Sequence, residues 1–283
     1  MIDSVDKTAV VCGGKFTVKE TVDVMIDGIS ANEVEIDATG EVSVMGQEGD
    51  AINAQAVTLN GSATYYVTGE DGVNGADGGD GIETASLSLL GTITLYAKGG
   101  NGGQGVEGTK GYQGSNGAKG NNESQGEDPI YGYNGRPGGQ GGDGGEGGKG
   151  GDGGCGLRLS TNEILCGDDI TLNLQGGNGA NGGRGGAGGR GGNGGNGGDD
   201  DNWSLLGIGD MAGGEGGAGG PGGEGGEGGA GGEAGVAISV NGVSMELPVE
   251  NATHVNGTAG AAGGKGATGD PGSKGAHGDG GAM

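Results

Sequence analysis

GGRGGAGGRGGNGGNGG, residues 182–198, places glycine at two of every three positions. Glycine loses more backbone freedom on folding than any other residue, so such a run resists ordering unless neighbours hold its backbone. The run has a phase. From Gly176 the chain reads GGN-GAN-GGR-GGA-GGR-GGN-GGN, and from Gly138 it reads GGQ-GGD-GGE-GGK-GGD-GGC. From Gly213 it reads GGE-GGA-GGP-GGE-GGE-GGA-GGE. A looser G-x-y phase covers 69–81, 99–120 and 257–278, which makes six phased tracts.

A period of three matches the left-handed polyproline-II-type helix, with three residues per turn and a rise of about 3.1 Å. That helix has no internal hydrogen bonds, so its N–H and C=O groups need outside partners, and glycine edges let neighbouring backbones supply them. The tracts are therefore expected to pack side by side as a bundle of polyglycine-II helices. A flexible linker needs no phase and favours serine. A collagen triple helix needs unbroken triplets and abundant proline, whereas this chain has 5 prolines. GGQGGDGGE and GGKGGDGGC match the start of the calcium β-roll nonapeptide, but its apolar position falls on Gly145 and Gly154, so no core would form. The match leaves Asp143 and Asp152 as calcium candidates.

Between the tracts lies a second repeat. ISANEVEIDATG (29–40), INAQAVTLNG (52–61) and IETASLSLLG (82–91) align, and each is followed by an alternating run: EVSVMG, ATYYVTG and TITLYAKG. Alternation of period two marks strands with one buried face. Ile29, Val34, Ile36, Ile52, Val57, Leu59, Ile82, Leu87 and Leu89 are expected to point one way. Short strands recurring with glycine corners suggest stacked β-solenoid coils. A β-sandwich has similar strand spacing, and the solenoid is preferred because the whole coil pattern repeats. KFTV and TVDVMI read as a capping coil, and LRLSTNEIL with DITLNLQG (157–176) and VAISVNGVSMELPV (236–249) read as later coils. The expected fold class is all-β and repetitive, with β-solenoid coils interrupted by a polyglycine-II bundle and essentially no α-helix. Coils occupy 1–98, and the bundle, with its interspersed strand pairs, occupies 99–283.

With 38 acidic and 13 basic residues the net charge is −25. Such a chain repels phosphate backbones and anionic lipid, which argues against nucleic-acid binding. No stretch approaches the roughly 20 apolar residues of a membrane span, so no membrane insertion is expected. The start, MIDSVDKTAVVCGGKF, lacks a basic segment followed by an apolar one, so no secretory signal is visible. Another export route, a trimmed chain, or a virion component made in the cytoplasm fits that start. Cys12, Cys155 and Cys166 form no disulfide framework. Cys155 and Cys166 flank a short strand and are close enough in sequence to pair, and buried or idle thiols are the preferred reading.

Tract charges have a pattern too. Asp143, Glu146, Lys149 and Asp152 stripe one tract with a net charge of −2 and Glu215, Glu224, Glu227 and Glu233 another with −4, while the tract between carries Arg184 and Arg190. The arginines are expected to sit among the acidic stripes and set the packing order; solvated charges keeping a glycine surface soluble are the alternative. His254 and His277 lack partners at metal-ligand spacing and read as surface histidines. GxGxxG matches carry no information in a chain of triplets. No catalytic constellation is present, and no enzyme activity or cofactor is expected.

Tracts such as GGNGGNGG following ITLNLQ, or GGNGGQG following ITLYAK, resemble the glycine-rich tips of T-even-type phage long tail fibres. The resemblance covers roughly residues 84–283 and rests on low-complexity motifs. It implies a polyglycine-II sandwich whose intervening segments touch a bacterial receptor. The first 100 residues do not look like the fibre-attachment domain of those adhesins, and the intervening segments are not rich in aromatics. Tyr131, Tyr133 and Trp203 in those segments are candidate partner contacts. Glycine-rich insect antifreeze proteins are similar in helix type but lack the strand coils. The expected function is a rigid, self-associating fibre or filament subunit located outside the cell, on its surface or on a virion. The alternative is a receptor-binding adhesin at a fibre tip.

Overall fold

The computed structural model describes residues 10–20, 24–47, 49–120, 133–198, 214–247 and 251–277. Among them there is no α-helix. The strands are β1 (Val10–Glu20), β2 (Val24–Ile26), β3 (Ile29–Ala38), β4 (Glu41–Met45), β5 (Ile52–Thr68), β6 (Ile82–Lys98), β7 (Leu157–Cys166), β8 (Asp169–Gln175), β9 (Ile238–Val240), β10 (Val243–Ser244) and β11 (Ala252–Val255). They form one open, 11-stranded sheet, parallel at every pairing except the β9–β10 hairpin. Asn241 and Gly242 turn that hairpin with positive φ values of 50° and 78°, as a tight two-residue turn requires.

The sheet runs as two rows joined by its two longest strands. One row is β1-β3-β5-β6-β7-β9, and the other is β2-β4-β5-β6-β8-β11. β5 and β6 cross from row to row by bending at Gly61 and Gly91, whose φ values are 99° and 97°. A side chain at Gly91 would also collide with the carbonyl of Gly61, so both conformation and space demand glycine there.

Register follows the repeat in the sequence. Ile29 pairs with Ile52, Ile52 with Ile82, Ile82 with Leu157, and Leu157 with Ile238. In the other row Val42, Tyr65, Leu95 and Leu172 form one column. Ile29, Ile52, Ile82, Leu157 and Ile238 each open a strand, and every one of the nine apolar positions expected to point inward is buried. Tyr65 is fully buried, with its hydroxyl 2.8 Å from the Asn60 carbonyl oxygen and 3.1 Å from that of Ile36. Burial pushes its pKa up to about 12. Stacking like side chains in columns gives every inner position the same neighbours above and below, which is how few apolar residues make a continuous core.

The chain forms two compact units, neither of them continuous in sequence. The first comprises 1–106, 148–183 and 230–262, and holds the sheet and the adjoining parts of the tracts. The second comprises 107–147, 184–229 and 263–283, and its described residues are tract alone.

In the second unit, backbone bonds recur at every third residue. Gly108, Gly111, Gly114 and Gly117 donate to the carbonyls of Arg184, Ala187, Arg190 and Asn193. Gly185, Gly188, Gly191 and Gly194 donate in turn to Gly264, Ala267, Asp270 and Ser273. Residues 107–120, 184–198 and 263–277 thus form one parallel layer. Gly138, Gly141 and Gly144 donate to Ala218, Pro221 and Glu224, which makes 135–147 and 214–229 a second layer. The layers are joined by antiparallel bonds, such as Gly192 to Gly139 and Gly220 to Gly192.

The two glycines of an inner triplet face different neighbours. A Cβ on Gly185 would collide with Gly226 in the other layer, and one on Gly186 with Thr109 in the preceding tract of its own layer. Tracts that lack one neighbour spend that position on a side chain. Residues 107–120 have no preceding tract in this unit and carry Thr109, Tyr112 and Ser115 there. These side chains cover Gly145, Gly142 and Gly139. Residues 263–277 have no following tract and carry Lys265, Thr268, Pro271 and Lys274. The looser G-x-y phase therefore marks the outer tracts of this unit, and the strict GGx phase the inner ones.

Candidate functional site

In the first unit, a corner of the sheet gathers carboxylates. Asp50 and Asp80 each stand two residues before the isoleucine that opens β5 and β6, so the strand register brings them together. Asp50 Oδ1 accepts the Asp80 N–H at 2.7 Å, and Asp80 Oδ1 accepts the Cys155 N–H at 2.6 Å. One rung along, Asn53 pairs with Glu83 and Glu83 with Arg158. The Asn53 amide donates to Asp50 Oδ2 at 2.9 Å and to Glu83 Oε2 at 2.8 Å. The Arg158 guanidinium donates through Nε and Nη2 to the buried Asp80 carboxylate.

Oxygens of Asp50, Asp80 and Glu83 lie within 4.8 Å of one another, as metal ligands would. Their bonding describes a different arrangement. Asp80 is neutralised by Arg158, and a hydrogen bond to Asp50 is the main cause that pushes Glu83 up to about 7, with burial and the charges of Asp50 and Asp80 adding to it. Arg158 supplies the cation, and the raised pKa of Glu83 lets that carboxyl hold a proton that relieves the remaining repulsion. A cavity of about 410 Å³ opens beside Asp50 and Asn53, with Asp27, Ser30, Gln47 and Val11 on its other sides.

The residues singled out in the sequence lie elsewhere. Asp143 and Asp152 each commit Oδ1 to a backbone N–H, of Glu224 at 2.9 Å and of Glu233 at 2.7 Å. That bond, together with Lys149, holds the Asp152 carboxyl below its ordinary range. Arg184 and Arg190 are exposed and form no ion pair among the described residues, while their carbonyls accept from Gly108 and Gly114. Tyr133 is exposed, and Tyr131 and Trp203 lie outside the described residues. The three cysteines are free, and burial pushes the Cys155 thiol up to about 11.

Three features went unread in the sequence. The third residue of a triplet is often Asn or Asp, and its side-chain oxygen accepts the N–H of the matching residue one tract on. Asn101 serves Asn178 at 3.0 Å and Asn178 serves Thr258 at 2.9 Å; Asn116 and Asn193 serve Asn193 and Ser273 alike. Tyr66 and Tyr96 are partners in register on the outward face of the sheet and stack with centroids 5.0 Å apart. His254 is half-buried. β11 pairs it with the buried Leu174, and its Nε2 is buried with no partner among the described residues. The motif NATHV is too short and too polar to read as a strand; only pairing with β8 reveals it.

No protein-family model and no curated protein matches the chain. Among solved structures, a springtail antifreeze protein from Granisotoma rainieri, described as a bundle of nine polyproline type II helices, is 30% identical over an alignment covering 59% of this chain and 93% of that one. Its TM-score is 0.11, which establishes no common fold.

Proposed function

We propose that this chain is a non-catalytic structural protein, a rigid, self-associating subunit of an extracellular, cell-surface or virion-surface fibre. In this reading the two-row sheet is a β-solenoid, and the tracts are polyglycine-II helices carried on its later coils. The observation that carries the reading is the match between glycine position and neighbour in the tracts. In the inner tracts, glycines such as Gly185, Gly186, Gly188 and Gly189 stand where another backbone closes in, and at the unit's edge Thr109, Tyr112 and Ser115 stand where no further tract does. Residues are thus spent on rigidity, since each tract is held by bonds to other tracts rather than by its own.

Self-association has its own support. In the second unit the N–H groups of Gly219, Gly222 and Gly225 have no backbone partner among the described residues, and neither have the carbonyls of Gln113 and Asn116. Rows of spare donors and acceptors at a fixed spacing invite a further chain. Negative-stain microscopy of the purified protein tests this: uniform fibres are expected, and discrete particles under all conditions would refute it.

A second reading, an adhesin tip, is favoured by aromatic exposure. Tyr112 and Tyr133 are 75% and 65% exposed, and rigidly held exposed tyrosines suit a contact surface. Under that reading discrete particles bind cells, and alanine at Tyr131, Tyr133 and Trp203 abolishes attachment.

A further inference from the structure

The second unit segregates charge between its layers. The layer formed by 107–120, 184–198 and 263–277 carries Lys110, Lys119, Arg184, Arg190 and Lys274 against Glu107 and Asp270. Lys265 of the same layer turns away to Glu227 at 2.6 Å. The other layer, 135–147 and 214–229, carries Asp143, Glu146, Glu215, Glu224 and Glu227 against Arg136. Among the described residues such a basic face stands out on a chain of net charge −25, because 13 cations spread evenly among 38 anions would give about three acidic groups for each basic one.

Both faces share one ruler. Lys110, Arg184 and Arg190 occupy the third position of their triplets, as do Glu215, Glu224 and Glu227 in theirs, and these positions are exposed on either side. Two surfaces striped at the same three-residue interval can bring opposite charges into repeated register, whereas a ligand of unrelated spacing cannot. We propose that the basic face of one copy docks on the acidic face of another copy of this chain. The proposal rests on the self-association reading and supplies its contact. The interface is heterologous, since two different faces meet, so it propagates rather than closing on a pair. Its attraction is electrostatic and between exposed groups, so salt weakens it, whereas assembly through apolar burial would survive salt.

Sedimentation velocity of the full chain tests this, at about 20 mM and about 500 mM sodium chloride, where the screening length falls severalfold. Wild type is expected to associate in the dilute salt and dissociate in the concentrated one. Arg184→Glu with Arg190→Glu is expected to abolish association, and so is Glu215→Lys with Glu224→Lys. Mixing the two variants should restore pairs, since each supplies the face the other has lost. All four side chains are exposed, and unchanged circular dichroism confirms that the variants fold. Association of wild type that the reversals leave untouched overturns this interface while sparing self-association. Wild type that is monomeric at both salt concentrations overturns both. A monomer retained on dextran sulfate through Arg184 and Arg190 assigns the basic face to a polyanion instead and overturns the proposal.

Discussion

The Asp80 carboxylate accepts the backbone N–H of Cys155 at 2.6 Å, across 75 residues of intervening chain. It thereby fixes the point at which the chain, after an outgoing and a returning tract, re-enters the sheet as β7. Asp80 also holds Arg158, so truncating it strands a half-buried guanidinium and an amide together. Asp80→Ala should cost about 3 kcal/mol, and Asp80→Asn less, because the amide oxygen still accepts from Cys155. Denaturant titration of the two variants measures the difference.

Glu83 makes the same corner sensitive to pH. Its carboxyl titrates near 7 in the fold against 4.5 in a free side chain. The folded state therefore binds the extra proton, and the stability that proton confers is complete below about 4.5 and lost as pH rises through 7. Glu83→Gln keeps a hydrogen-bonding group and removes the titration. Its melting temperature should exceed that of wild type by about 2 °C or more at pH 8. At pH 5 the two should nearly coincide.

Glycine substitutions should divide by neighbour rather than by composition. A Cβ on Gly186 meets the Thr109 carbonyl, whereas a Cβ on Gly264 meets nothing within 4 Å. Gly186→Ala should cost about 3 kcal/mol, since backbone cannot step aside as a side chain can, while Gly264→Ala should be neutral or slightly stabilising. Equal effects at the two positions would dispose of the neighbour rule.

His254 should be improvable. Its previous neighbour in the column is Leu174, and among the described residues its buried ring nitrogen has no hydrogen-bond partner. His254→Leu replaces an unsatisfied polar atom with apolar surface and should add about 1 kcal/mol, read as a raised melting temperature.

The strands were legible because alternation encodes a buried face. Ile29, Ile52 and Ile82 align in the sequence by pattern alone, and they pair in space. The acidic corner was within reach, as Asp27, Asp50 and Asp80 all stand two residues before those isoleucines. Tract partners were not, because identical triplets satisfy any register shifted by three residues. What picks the register is a set of hydrogen bonds between residues some 80 positions apart, in which the Asn178 N–H donates to the Asn101 side-chain oxygen and the Thr258 N–H to that of Asn178. Only the loss of one glycine per triplet, at Thr109 or Lys265, distinguished outer tracts from inner ones.

The transverse row from Gly272 to Gly220, Gly192, Gly139 and Ser115 bears on how the protein is made. An α-helix can begin to form from a single turn of chain. Here Ser115 gains its first partner in this row only when residue 139 exists, and the row is complete only when residue 272 does. Each bond must first close a long loop, so folding is slow and waits on the synthesis of residue 272. A nascent chain halted after its second or third tract has glycine without neighbours, which is the floppy spacer that its composition alone suggests.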